Sequence, residues 1–343
     1  MTIQRDRFVY ILTVTLVVVV LAGCQSSDRG PASTQVTPVP PEPSRYLVDE
    51  GMPPVAGIIK YLPVGQDSAL TVDFEGGVYL FIDDRRAGML GRRGRGPCEY
   101  EEVTSLSVVG DTVFIFDRRL TRILGYSIGT GECEAEVSHP DLIRVGKFGR
   151  VGGWYYVLHS SVTSWLPEDY VLLHRLDDEG TLEPLELTVG DLQAHFFSQG
   201  VQLRSWRGEI QEHEGGLYFT IPLSHRVWRY DIQSGEAESF EIVHSSLDLA
   251  DYGDVDPSEQ PEMFEKLEMK LDPFLFDDHL SLRSYKNGTW YLGLYTYEGD
   301  LIAKDSVADF IRFTEGGSYY ALVGTDSETE IYEIRRVIPP VEL

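Results

Sequence analysis

The chain has 343 residues, 42% hydrophobic and 11% aromatic. That is enough apolar material for a large core, and it excludes wholesale disorder. Its 29 Lys and Arg against 55 Asp and Glu give a net charge of −26. Such a surface repels nucleic-acid phosphates and anionic headgroups, which argues against a DNA- or RNA-binding protein.

Residues 1–24 open with Arg5 and Arg7, continue in an apolar run from Phe8 to Leu21, and end in small residues before a cysteine. This is export-signal architecture. The alternative is a membrane-spanning anchor, but a run of about 14 residues falls short of the ~20 that cross a bilayer core. Leu21-Ala22-Gly23-Cys24 resembles the lipobox of bacterial lipoproteins. The resemblance implies a diacylglyceryl group on Cys24 and a mature chain that begins there. Gln25 follows, not the Asp associated with inner-membrane retention, so delivery to the outer membrane is expected. From residue 25 to 45 the chain is rich in Ser, Pro and Thr with no apolar periodicity, as in a solvated tether. The expected organisation is therefore a signal peptide over 1–23, a tether over 24–45 and one folded domain over 46–343.

A turn followed by a strand-forming run recurs six times within the domain. The turns are Gly76-Gly77, Gly110-Asp111, Gly152-Gly153, Gly215-Gly216, Asn287-Gly288 and Gly316-Gly317. Each favours a positive φ, and the aromatic or β-branched run after it suits a hairpin joining the first and second strands of a small sheet. Two copies agree further. Arg122, Ile123 and Tyr126 match Arg226, Val227 and Tyr230, and a Gly-Glu pair follows each Tyr at the same distance. This predicts an all-β fold, a six-bladed β-propeller of four-stranded antiparallel blades. A β-sandwich would also place strands at such spacing, without requiring its copies to resemble one another.

Three insertions interrupt the repeat, at 159–169, 188–206 and about 246–279. In the longest, Asp256-Pro257-Ser258-Glu259 has helix-start chemistry, and Met263, Phe264, Leu267 and Leu271 share one face at helical spacing. A short helix near 257–271 is predicted. To close the ring, Ile58–Val64 is expected to lie beside the last strand, Glu330–Ile338, in one sheet.

The string Gly91-Arg92-Arg93-Gly94-Arg95-Gly96-Pro97-Cys98-Glu99-Tyr100 resembles the G-x-x-G-x-G-P-G-E-(F/Y) signature of a family of exported six-bladed β-propellers related to the NHL-repeat type. It departs at Cys98, where that family usually carries glycine. The resemblance implies a cell-envelope protein without a single established activity. Taken by itself, the string is an irregular turn from which arginines project. Either those arginines bind an anion through their planar forks of donors, or they pair with neighbouring acids across a blade crossover. Arg92, Arg93 and Arg95, with Arg118 and Arg119 after a second strand, are the candidate ligand-binding residues. Arg85 and Arg86 could complete a basic channel mouth. No Lys-Ser/Thr follows the glycines, so a nucleotide loop is not indicated.

Eight histidines are dispersed without H-x-H or H-E-x-x-H spacing. The carboxylate run at Asp248, Asp251, Asp254 and Asp256 lacks EF-hand spacing. No metal or other cofactor and no catalytic residue is assigned. Cys98 and Cys133 form either a disulfide or two separate thiols. The expected function is a lipid-anchored envelope protein, a monomer, that binds or scaffolds a glycan, peptide or partner protein through its channel mouth and loops. The alternative is an exported propeller hydrolase or lyase holding a metal on its axis.

Overall fold

The computed structural model describes residues 45–48, 58–65, 67–159, 167–191, 208–220, 226–242, 269–270, 273–286, 289–307, 311–315, 318–324 and 331–337. Strand β1 (Arg45–Val48) comes first, then β2 (Ile58–Pro63), β3 (Ser68–Asp73), β4 (Val78–Ile82) and β5 (Arg85–Met89). A short parallel pair, β6 (Arg92–Arg93) with β7 (Glu99–Tyr100), lies in the crossover to the second sheet. That sheet is β8 (Val103–Val109), β9 (Thr112–Asp117), β10 (Arg122–Ser127) and β11 (Cys133–Ser138). A 3-10 turn, Pro140–Arg144, leads to β12 (Val145–Val151), β13 (Trp154–His159), β14 (Leu173–Leu176) and β15 (Leu182–Pro184). This third sheet gains β16 (Gly208–Glu209), parallel to β12.

The fourth sheet is β17 (Gln211–His213), β18 (Gly216–Thr220), β19 (Arg226–Asp231) and β20 (Ala237–Glu241). In the fifth, β21 (Met269–Lys270) and β22 (Phe274–Leu275) both pair with β23 (Leu280–Lys286), which is followed by β24 (Thr289–Tyr295) and β25 (Leu301–Val307). Strands β26 (Ile311–Glu315), β27 (Ser318–Gly324) and β28 (Ile331–Val337) return to the first sheet, whose order is β2-β3-β4-β5-β1-β28-β27-β26.

Burial follows position within a sheet. β10 is buried at every residue because both of its faces are covered by neighbouring sheets, whereas the outermost β11 alternates, with Cys133 and Ala135 half-buried, Val137 buried and the residues between them exposed. Each pair of neighbours shares one apolar cluster. Phe114, Phe116 and Val137 of the second sheet meet Phe148, Tyr155 and Val157 of the third. Leu158, Leu172 and Tyr156 of the third meet Leu217, Phe219 and Trp228 of the fourth. A unit that buries its faces only against its neighbours is propeller construction.

The repeated turns share geometry as well as sequence. After β10, Gly131 donates its N–H to Ser127 O at 2.8 Å, and after β19 Gly235 donates to Asp231 O at 2.9 Å. Both glycines have positive φ, 71° and 77°, where a side chain would be strained. Glycine is required for another reason at Gly149 in β12, where an added Cβ would lie 2.5 Å from Ile210 O. Gly149→Ala is expected to cost about 2 kcal/mol by overpacking. Gly88→Ala in β5, with nothing within 4 Å of the new Cβ, is expected to stay within about 0.5 kcal/mol. Urea midpoints of the two variants test the contrast.

Three expectations are corrected. The described strands form five large sheets, not six blades, because β1 bridges β5 and β28 and so makes one eight-stranded sheet of the strands at the two ends of the domain. Within that sheet β2 and β4 pack on β28 through Ile58, Tyr61, Phe81 and Ile334. Secondly, Ile58–Pro63 does not lie beside the last strand. It pairs with β3, and the neighbour of β28 is Arg45–Val48. The Gly76-Gly77 turn consequently joins the second and third strands of its group. Thirdly, Met269–Lys270 is strand, not helix. The rest of the predicted helix falls on residues 257–268 and 271, outside the described residues, as do Cys24 and the carboxylate run at 248–256. The described residues contain almost no helix.

Candidate functional site

The motif at 91–100 crosses from β5 to β8 and is bound down along its length to the second sheet. The buried Tyr100 hydroxyl donates to Leu90 O at 2.8 Å and accepts from Val78 N–H at 3.1 Å, and burial pushes its pKa up. Arg122, with a side chain 8% exposed, donates from Nη1 to Gly96 O at 3.0 Å and to Glu136 Oε1 at 2.9 Å. Its Nη2 reaches Glu99 O. Tyr126, whose pKa burial pushes up to about 12, donates its hydroxyl to Cys98 O. Cys98, at φ 55°, donates its N–H to Glu136 Oε2 at 3.0 Å and is joined by a disulfide to Cys133 at the start of β11, with Cα atoms 6.0 Å apart.

The candidate arginines around this crossover are mostly occupied by acids. Arg95 Nε lies 2.6 Å and Arg119 Nε 3.2 Å from Glu101, and Arg93 lies 3.5 Å from Glu75. The Arg95 hydrogen bond holds the Glu101 carboxyl below its ordinary value. Arg118 donates to Ile143 O at 2.9 Å. Arg92 is exposed and makes no ion pair among the described residues. The structure thus brings Arg95 and Arg119 together on one carboxylate, and it spends their charge there.

Among the described residues a concave site opens elsewhere, along the outer strands of the third and fourth sheets. It has a volume of about 780 Å³. One wall is Val171, Pro184 and Leu185 with Glu186, Thr188 and Asp191; the other is formed by β19, β20 and the turn between them. On that second wall Arg229 contacts Asp231 at 2.9 Å and Glu238 at 2.6 Å, so its charge is neutralised within the protein. Backbone N–H groups of Ser234 and Gln233 hold the Asp231 carboxyl below its ordinary value. Glu186 and Glu236 remain exposed at the rim. The cleft therefore combines apolar wall residues with uncompensated negative charge.

Sequence reasoning missed this cleft because its walls come from segments some fifty positions apart, and nothing in either segment marks it. Arg122 and Tyr126 were visible as a repeated pair, but not as the anchors of the 91–100 loop. Among the described residues no three His, Cys, Asp or Glu side chains converge as a metal-holding group. No observation here specifically favours the hydrolase or lyase alternative.

Repeated four-stranded antiparallel units, each packed only on its neighbours, define a β-propeller. The sequence matches no family model and no curated relative. Among solved structures the chain is similar to a protein described as exported from Bacteroides fragilis NCTC 9343, with a TM-score of 0.55 and 12% identity over 87% of this chain and 95% of that one. It also resembles YCF48 bound to D1 peptide (TM-score 0.48, 10% identity, 86% and 84% covered) and BamB from Moraxella catarrhalis (0.40, 12%, 80% and 95%). At 12% identity the first likeness carries the fold alone, and the other two, with TM-scores under 0.5, carry no argument.

Proposed function

We propose that this chain is an exported, lipid-anchored propeller of the cell envelope, attached through Cys24, that binds or scaffolds a partner and holds it in the cleft between the third and fourth sheets. The observation that carries this reading is the cleft itself, a concave site of about 780 Å³ with Val171, Pro184 and Leu185 along one wall. Its rim selects by charge. With Arg229 already paired, Glu186, Asp191 and Glu236 favour a cationic segment and repel an acidic one. Among the described residues the outer strands β15 and β20 each pair on one side only, so an extended peptide could add its backbone to either edge. The arginine loop at 91–100 has a structural part in this reading, since Glu75 and Glu101 take up Arg93 and Arg95.

The test uses the full-length chain and a lysine-rich decapeptide as probe. Glu186→Gln with Glu236→Gln is expected to weaken binding at least fivefold. Glu132→Gln with Glu134→Gln, which removes the same charge near β11, is expected to leave it unchanged. Equal losses in both pairs would mean that the net charge of −26 attracts the peptide without a site. Attachment is tested separately: Cys24→Ala is expected to shift the protein from the membrane to the soluble fraction of its host.

A further inference from the structure

A histidine cluster sits where the second sheet hands over to the third. His139 caps the Pro140–Arg144 turn, its Nδ1 accepting the Asp141 N–H at 3.2 Å. At the other end of the turn Arg144 Nη1 donates to Tyr170 Oη at 3.0 Å, and that oxygen lies 2.9 Å from Nδ1 of His159. His159 ends β13 and is 4% exposed. Its ring stacks on His174 of β14 with centroids 4.4 Å apart and planes 25° from parallel. His159 Nε2 and His174 Nδ1 are shut off from solvent and have no hydrogen-bond partner among the described residues.

This arrangement suits a neutral His159. Arg144 donates to the Tyr170 oxygen, which leaves the phenolic proton for a neutral His159 Nδ1. In that neutral tautomer Nε2 already carries the ring proton, and a second proton on Nδ1 would turn that nitrogen into a donor facing the Tyr170 O–H now donated to it. The new charge would also lie against the His174 ring, with the Arg144 guanidinium beyond Tyr170 and His139 across the turn. The carboxylate in the group is Asp141, and it sits 3.9 Å from His139.

We propose that the cluster is an acid-sensitive latch: neutral His159 and His174 pin the Pro140–Arg144 turn to the third sheet, and their protonation releases the seam between the second and third sheets. This inference is independent of the cleft. Burial first, then repulsion from His174, Arg144 and His139, pulls His159 down to about 3 from its ordinary 6.5, and burial pulls His174 down too. A histidine whose folded value is depressed binds more protons once released. The latch is therefore intact above pH 6.5 and weakens as the pH falls from 6.5 toward 3. Between pH 7.5 and pH 5, His159 alone shifts the equilibrium toward the released state about thirtyfold.

Hydrogen exchange on the full-length chain, corrected for intrinsic rates, reads the latch through the Asp141, Leu142 and Val145 amides. Their opening equilibrium is expected to rise about thirtyfold from pH 7.5 to pH 5, while amides in β18 and β19 change less than threefold. His159→Gln is expected to flatten the response of the turn to less than threefold. Because that variant could fold poorly, histidine Cε1–H resonances of the unmutated protein provide a second reading, with His159 staying neutral at pH 5 for as long as the turn is closed. Unchanged protection of the turn, a uniform loss across all sheets, or a His159 that titrates near 6.5 in the closed state would each overturn the proposal.

Discussion

Arg122→Met is expected to lower the stability of the protein by about 3 kcal/mol, read as a fall in the urea midpoint with the slope unchanged. The guanidinium is nearly buried and serves three acceptors at once, Gly96 O, Glu99 O and the Glu136 carboxylate. Methionine fills much of the same volume but donates nothing. Glu99 O would then lose the guanidinium, Gly96 O would keep only the Glu99 N–H at 3.2 Å, and Glu136 only the Cys98 N–H. An unmade hydrogen bond to a buried group costs about 1–3 kcal/mol. The figure stays at the lower end of their sum because Glu136 is 32% exposed and can turn to water. A loss of under about 1 kcal/mol would mean that the crossover is held by the disulfide and Tyr126 without Arg122.

The same residue shows how far the fold could be read from the chain. Arg122, Ile123 and Tyr126 recur as Arg226, Val227 and Tyr230, and both sets lie on the third strand of a four-stranded unit followed by the same tight turn. Such a signal is local: a turn residue, an alternation and a second turn lie within about 25 residues, in the range where sequence pattern and backbone preference coincide. Closure of the ring is not local. Arg45–Val48 is only four residues long, follows a proline-rich stretch and carries little strand signal, yet it is the strand that lies against β28. Ile58–Pro63 has the stronger strand propensity, and it pairs with Ser68–Asp73 instead. One bridge, Val48 to Arg85, then makes one sheet of strands that the repeat pattern alone would separate.

The candidate site was less legible than the fold for a related reason. Five arginines near one glycine-rich loop leave two readings open in the sequence, an anion site or pairing with neighbouring acids, and Arg93, Arg95 and Arg119 take the second, with Glu75 and Glu101. Which acid meets which arginine depends on how β3, β7 and β9 are brought together, and no spacing rule encodes that. The cleft is more remote still. Glu186 and Glu236 became neighbours across it because Leu187, Val189, Trp228 and Tyr230 bury themselves in one apolar cluster beneath. Core packing placed the rim, and rim residues carry no periodicity of their own.

Cys98→Ser with Cys133→Ser is expected to lower stability by about 3–4 kcal/mol, the chain-entropy value for a closed loop of this size; the cysteines are 35 residues apart. Treating the unmutated protein with a reductant should reproduce the shift, since both cysteines are only half-buried. The cost should not add to that of Arg122→Met. Both the disulfide and the guanidinium hold the 91–100 crossover against β10 and β11, so once one is gone the loop is partly free and the other has less left to hold. The combined variant is therefore expected to lose at least about 1 kcal/mol less than the sum of the two changes. Strict additivity would show that the two act on separate parts of the structure, and that the crossover is not one cooperative lock between the first and second sheets. A reductant that left the midpoint unmoved would show that the two thiols are not joined in solution.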